Sequence, residues 1–416
     1  MSKNNSILNV LIYLYIIILA VAPSKVKGVP IADVLFLLIA FVYIMKVCIS
    51  KKSRTRLTNG LKDFLRDSIG IFMLLLFIVM GLSVLYASYK GMALKETFRF
   101  ATYIVIYFIF KYEINDKRIL DNIIKIYVVL IICICCFGII QYFTKIGVAK
   151  EFIYAEGYAF KVRIPSTLEN PNSLGAFLIL PMFPLIMAAT NVEYRDEKIL
   201  YWTSSILTFI NIVLCGSRNA WLGVLIGAFL LVIIYNWKAI FLFLIGGGAA
   251  LMIPQVRNRL LDFRTIAGDG RIKLWKIAVK MIKEHPIRGV GNGNYYCLLG
   301  EYVKKYPELD YNHHVNFPVH NSYLKILSEL GVAGIVSFVG LLIAVFIKIK
   351  SFANKVNDKF YKAFYTGFTV SVIVFFMMNI NDNLFFVPKI SMYFWILVAI
   401  SQSMIYNNSR SSRRFY

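Results

Sequence analysis

Long apolar runs separated by short polar breaks dominate the chain. Runs of about 18 residues or more recur from end to end, each long enough to cross a ~30 Å hydrocarbon slab as a helix. The pattern predicts helices near 6–22, 31–49, 68–88, 96–111, 122–143, 173–191, 199–215, 219–236, 239–254, 320–347, 361–380 and 387–406, about twelve spans. The fourth is short enough to be tilted or re-entrant. Two long segments without such runs stand apart, 144–172 and 255–319. The expected fold is all-α, a polytopic transmembrane helical bundle forming a single membrane domain over 1–416, with 255–319 inserted as one loop between the ninth and tenth spans. Within that loop, residues 271–284 alternate lysines with Ile272, Leu274, Trp275, Ala278, Met281 and Ile282. That is the pattern of an amphipathic helix lying on a leaflet surface. Ala20-Val21-Ala22 after a short basic start has signal-peptidase character, but the apolar run from Ile7 to Ala22 is long for a signal peptide, which favours a retained first helix.

Charge then orients the bundle. With the N-terminus inside, the inward segments collect the basic residues from Lys51 to Arg66, then Lys111, Lys117, Arg118, Arg195, Lys198 and Lys238, those from Lys348 to Lys362, and those from Arg410 to Arg414. The short outward segments hold fewer, which is the positive-inside bias. Both termini then fall in the cytoplasm and both long segments outside, so 255–319 is an extracytoplasmic loop. Composition agrees with a membrane chain: 59% of residues are hydrophobic and 16% are charged, where a soluble domain carries about 25%. The formal net charge of +24 raises the question of nucleic acid. The basic residues are scattered among many inter-helix segments instead of gathered on one soluble face, so they read as topology signals and lipid-headgroup anchors. No nucleic-acid partner is expected. All six cysteines read as free thiols.

The polar residues worth weighing collect on the outer face. Arg163 precedes Asn170-Pro171-Asn172, a turn and helix-start signal that is complete as a structural loop; the functional alternative is Arg163 facing an anionic ligand beside a helix N-terminus. Cys215-Gly216-Ser217-Arg218 is a tight outer turn between two apolar runs. Arg218 could snorkel to headgroups there, or fork onto phosphate oxygens from a cavity between helices. Gly289-Val290-Gly291-Asn292-Gly293 has no strand before it and is rejected as a Rossmann or P-loop element. His320-Asn321 enters the tenth span, where a lone histidine is more often a cap or packing residue than a catalyst. Lys325 and Glu329, four apart on that helix, are placed to neutralise each other, and Gly331 and Gly334 to allow close packing. His313, His314 and His320 lack an obvious carboxylate to orient them as ligands, so no metal and no cofactor is expected.

Gly270-Arg271 through Trp275, His285-Pro286, Gly289-Val290-Gly291 and Asn294, then His320-Asn321 and Glu329-x-Gly331-x-x-Gly334, together resemble the O-antigen ligase and O-antigen polymerase (Wzy) superfamily. Ser217-Arg218 and the segment from Arg163 to Asn172 also look like that family and follow in the right order; the first half of the chain matches only in being helical. The resemblance implies a GT-C-like membrane glycosyltransferase that is metal-independent and acts on the outer side of the bacterial cytoplasmic (inner) membrane, facing the periplasm or cell exterior. Its donor would be an undecaprenyl-pyrophosphate-linked oligosaccharide and its acceptor a glycan or lipid-linked acceptor. Membrane lipids, a flippase and a chain-length regulator are the further partners implied. By the same likeness Arg218 and Arg271 would stabilise charge on the leaving phosphate, and His320 would orient or deprotonate the acceptor hydroxyl. Arg163, Asn170, Asn321 and Arg99 would contact pyrophosphate or glycan. With no carboxylate nucleophile at a matched position, a single inverting displacement is expected.

A polymerase is favoured over a ligase to lipid A-core, because that branch serves capsule, exopolysaccharide and O-antigen assembly alike. The competing class is a transporter, which should carry mid-membrane ionisable groups on broken helices and an internal repeat. Here the arginines and His320 sit at the outer boundary and no repeat links the halves. A scaffold for other polysaccharide enzymes differs from both in being inactive when purified alone.

Overall fold

A computed structural model describes residues 3–24, 28–114, 116–154, 161–235, 252, 257, 270–313 and 315–412. Fourteen α-helices stand among the described residues. The first nine are α1 (Lys3–Val21), α2 (Ile31–Ile49), α3 (Lys51–Phe64), α4 (Ser68–Tyr86), α5 (Lys90–Tyr112), α6 (Lys117–Thr144), α7 (Pro171–Asn191), α8 (Arg195–Leu214) and α9 (Arg218–Tyr235). They are followed by α10 (Arg271–Glu284), α11 (Asn294–Lys305), α12 (Ser322–Lys355), α13 (Lys359–Met378) and α14 (Pro388–Ser412). The only β pairing among the described residues is an isolated bridge between Ile153 and Val162.

All the expected spans except 239–254, which lies outside the described residues apart from Met252, are helices. Six of them, α2, α4, α6, α7, α12 and α13, are long and apolar enough to cross a membrane, and α1 and α9 contribute shorter apolar stretches. The chain is an integral membrane protein on that ground. The remaining bundle helices α5, α8 and α14 carry charged or polar side chains along one or both ends, so hydropathy alone does not make them spans. The sequence reading missed α3. It is a polar helix, capped by the Ser50 side chain and pinned by buried Phe64, whose ring meets Tyr107 and Phe108 of α5.

Helix α7 is the hub, buried along most of its length and packed on α8, α9 and α13. Pro184 has no N–H to give Leu180 O, four residues back. Ser371 of α13 fills the gap, its hydroxyl lying 3.1 Å from Leu180 O and 2.8 Å from Ile179 O. Gly367 allows this approach, since a Cβ there would stand 2.3 Å from Phe183 O.

The two ends of the bundle differ. At one end a buried network ties α2, α3, α4, α5 and α12 together. Glu113 meets Lys46 at 2.8 Å and Arg56 at 3.4 Å. Lys111 meets Asp63 at 3.0 Å and Asp67 at 3.1 Å, and Lys348 meets Asp67 at 2.7 Å. The other end carries a cap built on α10 and α11. Here the structure corrects the sequence reading. Helix α10 is amphipathic as expected, but Leu274, Ala278 and Met281 are buried in a small second core with Tyr295, Leu298 and Tyr302. Its apolar face lies against protein, not against a leaflet.

The cap is fastened through a break in α12. Gly331 sits at φ 64°, ψ −159°, a region essentially reserved for glycine. Val332 N–H, which an unbroken helix would give to Ser328 O, goes instead to Pro286 O at 3.2 Å. The freed carbonyls of Ser328 and Glu329 accept the N–H groups of Val290 (2.9 Å) and Gly291 (2.8 Å). The glycine-rich stretch is thus a strap on a helix break, in keeping with its rejection as a nucleotide loop. A Cβ at Gly331 would stand 2.0 Å from Ile287 O. Gly331→Ala is expected to cost about 1–3 kcal/mol through backbone strain alone, and more through the clash. A lowered thermal midpoint in detergent, with helical circular dichroism retained before melting, checks this.

Candidate active site

At the cap end, the entry to α12 and the exit from α13 are stitched together. The Asn321 side chain caps α12 by accepting the Leu324 N–H at 2.9 Å. Ser322 donates its N–H to Asn379 O (2.9 Å) and its hydroxyl to Asn379 Oδ1 (2.6 Å), which also accepts Phe385 N–H at 3.0 Å. These bonds fix the turn Asn379–Asn383 beneath His320, itself held at φ +52° in the left-handed region. His320 Nδ1 lies 3.1 Å from Asp382 Oδ1. That same oxygen accepts Asn383 N–H at 2.8 Å.

Burial pushes the Asp382 carboxyl up, but the hydrogen bond from His320, the charges of His320 and Arg271 and the Asn383 N–H outweigh it, and the group is held below the usual carboxylate range. Phe317 packs beside the imidazole, ring centroids 5.3 Å apart. With Nδ1 committed to Asp382, the other ring nitrogen, Nε2, is the one left to act as base or acid.

His320 and Asp382 line a cavity of about 540 Å³. Arg99 and Asn170 share its wall, so of the residues expected to catalyse or to bind pyrophosphate or glycan, these two and His320 meet there. Arg99 is paired with Glu96 at 2.8 Å, and Asn170 caps α7 through Asn172 N–H at 2.8 Å. Lys95, Lys325, Glu329 and Asn383 also face the cavity. The Lys325–Glu329 pair forms as expected, Nζ lying 2.6 Å from each carboxylate oxygen. Glu329 does more than neutralise: it accepts Gly293 N–H at 2.8 Å and Tyr295 N–H at 3.3 Å, so it caps α11 from a neighbouring helix.

The remaining candidates stand behind the wall. Arg163 is turned inward: Nε donates to Cys215 O at 3.0 Å and Nη2 to Asn172 Oδ1 at 2.7 Å, and Asn172 faces the cavity. Arg271 Nη1 donates to Asn381 O at 2.8 Å, one residue before Asp382. Arg218 opens α9 beside the end of α13, where Asn219 donates to Met378 O at 2.9 Å. Neither arginine is among the residues lining the cavity.

His320 is therefore not the lone histidine of the sequence reading, since Asp382 is its carboxylate. Sequence reasoning missed Asp382, although the polar run Asn379-Ile380-Asn381-Asp382-Asn383 between two apolar spans was a visible signal.

Residues 203–339, which hold Arg218, Arg271 and His320, match the family described as O-Antigen ligase. A Rickettsia conorii protein described as a putative polysaccharide ligase is 26% identical over 233 residues, 52% of this chain and 53% of that protein. The chain thus spans about half the length of that curated relative. The O-antigen ligase match stops before Asp382 and begins after Arg163, so the cavity joins the matched segment to helices outside it.

Asp382 gives a pH test. A carboxyl depressed in the fold contributes stability above its ordinary value of 3.8, and that contribution is lost as pH falls through the lower folded value. Asp382→Asn should therefore melt below the unmodified protein near neutral pH, with the two midpoints converging as pH falls through that lowered folded value. Calorimetry in detergent across pH 2–7 reads it.

Proposed function

We propose that this chain is a glycosyltransferase of cell-surface polysaccharide assembly, moving a glycan from a polyprenyl-pyrophosphate lipid to an acceptor hydroxyl on the outer side of the cytoplasmic membrane. The observation that carries the reading is the His320–Asp382 pair on the wall of a cavity at the cap end of a membrane bundle. Both comparisons support it, since each names a polysaccharide or O-antigen ligase.

In this reading the acceptor hydroxyl approaches His320 Nε2 and gives up its proton there as its oxygen bonds to the anomeric carbon. Asp382 fixes the ring through Nδ1 and stabilises the imidazolium that forms. The anomeric C–O bond to pyrophosphate breaks in the same step, and the lipid pyrophosphate leaves with the electron pair. One displacement from the opposite face inverts the anomeric centre. Charge growing on the leaving group needs fixed cations in a site of low dielectric. Lys95, Arg99 and Lys325 face the cavity, while Arg218 and Arg271, the family-like arginines, are not part of its lining. We assign Arg271 a positioning role as well, because it holds the turn that carries Asp382.

For the acceptor we favour a second lipid-linked unit, which makes the chain a polymerase. The names met in the comparisons favour the alternative, transfer to lipid A-core or a similar end acceptor. Purified protein given an undecaprenyl-pyrophosphate oligosaccharide from the source, with EDTA present, separates the two. A ladder of products means polymerase, and a single addition that requires lipid A-core means ligase. His320→Ala is expected to lower turnover about 10²–10⁴-fold, the usual worth of a general base. Asp382→Asn should fall in the same direction, and Arg218→Ala and Arg271→Ala should also lose transfer. Transfer that survives all four changes in folded protein would overturn the site. No transfer from matched donors, with or without lipid A-core, would overturn the reaction.

A further inference from the structure

Helix α3 joins two spans, since α2 and α4 are both long and apolar enough to cross a membrane. Its 14 residues therefore lie at one boundary of the bilayer, at the end away from the cap. One face is spent on protein. Ser53, Gly60 and Phe64 are buried, and a Cβ at Gly60 would stand 3.0 Å from ring atoms of both Phe108 and Tyr112 on α5. The helix is thus clamped against α5, which leaves its opposite face in a fixed direction.

That outward face is split lengthwise. Lys51, Thr55 and Lys62 follow one stripe, at i, i+4 and i+11, and Arg54, Thr58, Leu61 and Leu65 follow the next, at i, i+4, i+7 and i+11. All are exposed, Leu61 at 46% and Leu65 at 60%. Exposed leucines beside cations, on a helix between two spans, are what a helix in the headgroup layer carries: the apolar side chains reach acyl chains and the basic ones reach phosphates.

Charge at this end is unevenly spent. Asp63 on α3 and the nearby Asp67 and Glu113 are taken up by Lys46, Arg56, Lys111 and Lys348. The side chains of Lys51, Arg54 and Lys62 have no ion pair or hydrogen bond among the described residues. Lys51, Arg54, Thr55, Thr58 and Asn59 line an open recess of about 390 Å³. Thr55 Oγ1 donates to Lys51 O and Thr58 Oγ1 to Arg54 O, each at 3.0 Å. With those protons given to the backbone, the hydroxyls offer the recess lone pairs alone. The recess therefore joins cations to hydroxyl acceptors. A phosphodiester that carries its own headgroup hydroxyls satisfies both. A zwitterionic headgroup sets a second cation against Lys51 and Arg54, and an anionic headgroup without hydroxyls brings no donor for the threonines.

We propose that the outward face of α3 binds an anionic phospholipid with a hydroxylated headgroup, of the phosphatidylglycerol kind, its phosphate between Lys51 and Arg54 and its glycerol on Thr55 and Thr58. The lipid supplies from the leaflet the anion that these cations lack within the chain. The site does not depend on the transfer reaction.

The test uses the full chain, purified in dodecyl maltoside and stripped of lipid. Short-chain phosphatidylglycerol, phosphatidylmethanol (the same charge without the hydroxyls) and phosphatidylcholine are titrated, and native mass spectrometry reads the bound lipid. Phosphatidylglycerol should bind best and phosphatidylcholine least. Lys51→Gln combined with Arg54→Gln should weaken phosphatidylglycerol about 30-fold, from the usual worth of two basic residues at an anionic surface. Lys283→Gln combined with Lys304→Gln, two exposed lysines of the cap, should leave it unchanged. Thr55→Val combined with Thr58→Val should bring phosphatidylglycerol down to the level of phosphatidylmethanol. Thermal midpoints check that the variants fold, and the lipid series on the unmodified protein needs no variant at all. Equal binding of phosphatidylglycerol and phosphatidylcholine, or phosphatidylglycerol binding that survives the Lys51 and Arg54 changes, overturns the site. Equal binding of phosphatidylglycerol and phosphatidylmethanol overturns the assigned headgroup. Displacement of the lipid by an equal concentration of glycerol phosphate would make the ligand a soluble phosphate compound and overturns the lipid.

Discussion

The functional end of this molecule depends on one exchange of backbone hydrogen bonds at Gly331. A continuous helix there would satisfy its own carbonyls and offer nothing to a neighbour. The break releases Ser328 O and Glu329 O, and the strap through Val290 and Gly291 takes them up. Because the strap leads directly into α11, the same exchange sets where Gly293 and Tyr295 stand, and with them one wall of the cavity. Glu329 reinforces the joint from the side-chain level, holding the start of α11 while Lys325 balances its charge. A packing residue in the sequence thus becomes the seat of the cap.

The cavity that results is mixed in charge. Two of its cations, Arg99 and Lys325, are each tied to a glutamate, and His320 is tied to Asp382. Such pairing lets ionised groups stay charged where water is scarce, since an unpaired charge would be costly to hold there. It also means that an incoming anionic group competes with resident carboxylates, which limits binding to ligands whose own geometry is better. The turn Asn379–Asn383 is rigid for the same reason that it is polar: almost every group in it has a named partner from α12, α13 or the chain that follows.

Most of the fold was legible because lipid-compatible length leaves a plain mark: each described span coincides with an apolar run. The failures have a common cause. Helix α3 is held by a few contacts, Phe64 on the α5 aromatics above all, and has no long apolar run to announce it. The face of α10 was visible as amphipathic, but a pattern of apolar positions cannot say whether lipid or protein covers it. Arg163, Arg218 and Arg271 were legible as cations beside turns between apolar runs. Where each guanidinium points depends on turns such as Cys215–Ser217, whose shape is tertiary. Asp382 lies 62 residues beyond His320, and no local spacing relates them.

The ion network at the opposite end bears on how the chain can be built. The Lys46 side chain is 6% exposed and that of Glu113 1%, yet the two residues lie 67 apart in the sequence. A translating ribosome delivers the lysine long before its carboxylate exists. Until the end of α5 is made, Lys46 lacks this carboxylate and is best stabilised by headgroups and water. Asp67 repeats the situation in reverse, made early and meeting its second cation, Lys348, only when α12 follows. The order of synthesis therefore sets which charge waits for which, and this ion network is complete only once Lys348 has been made.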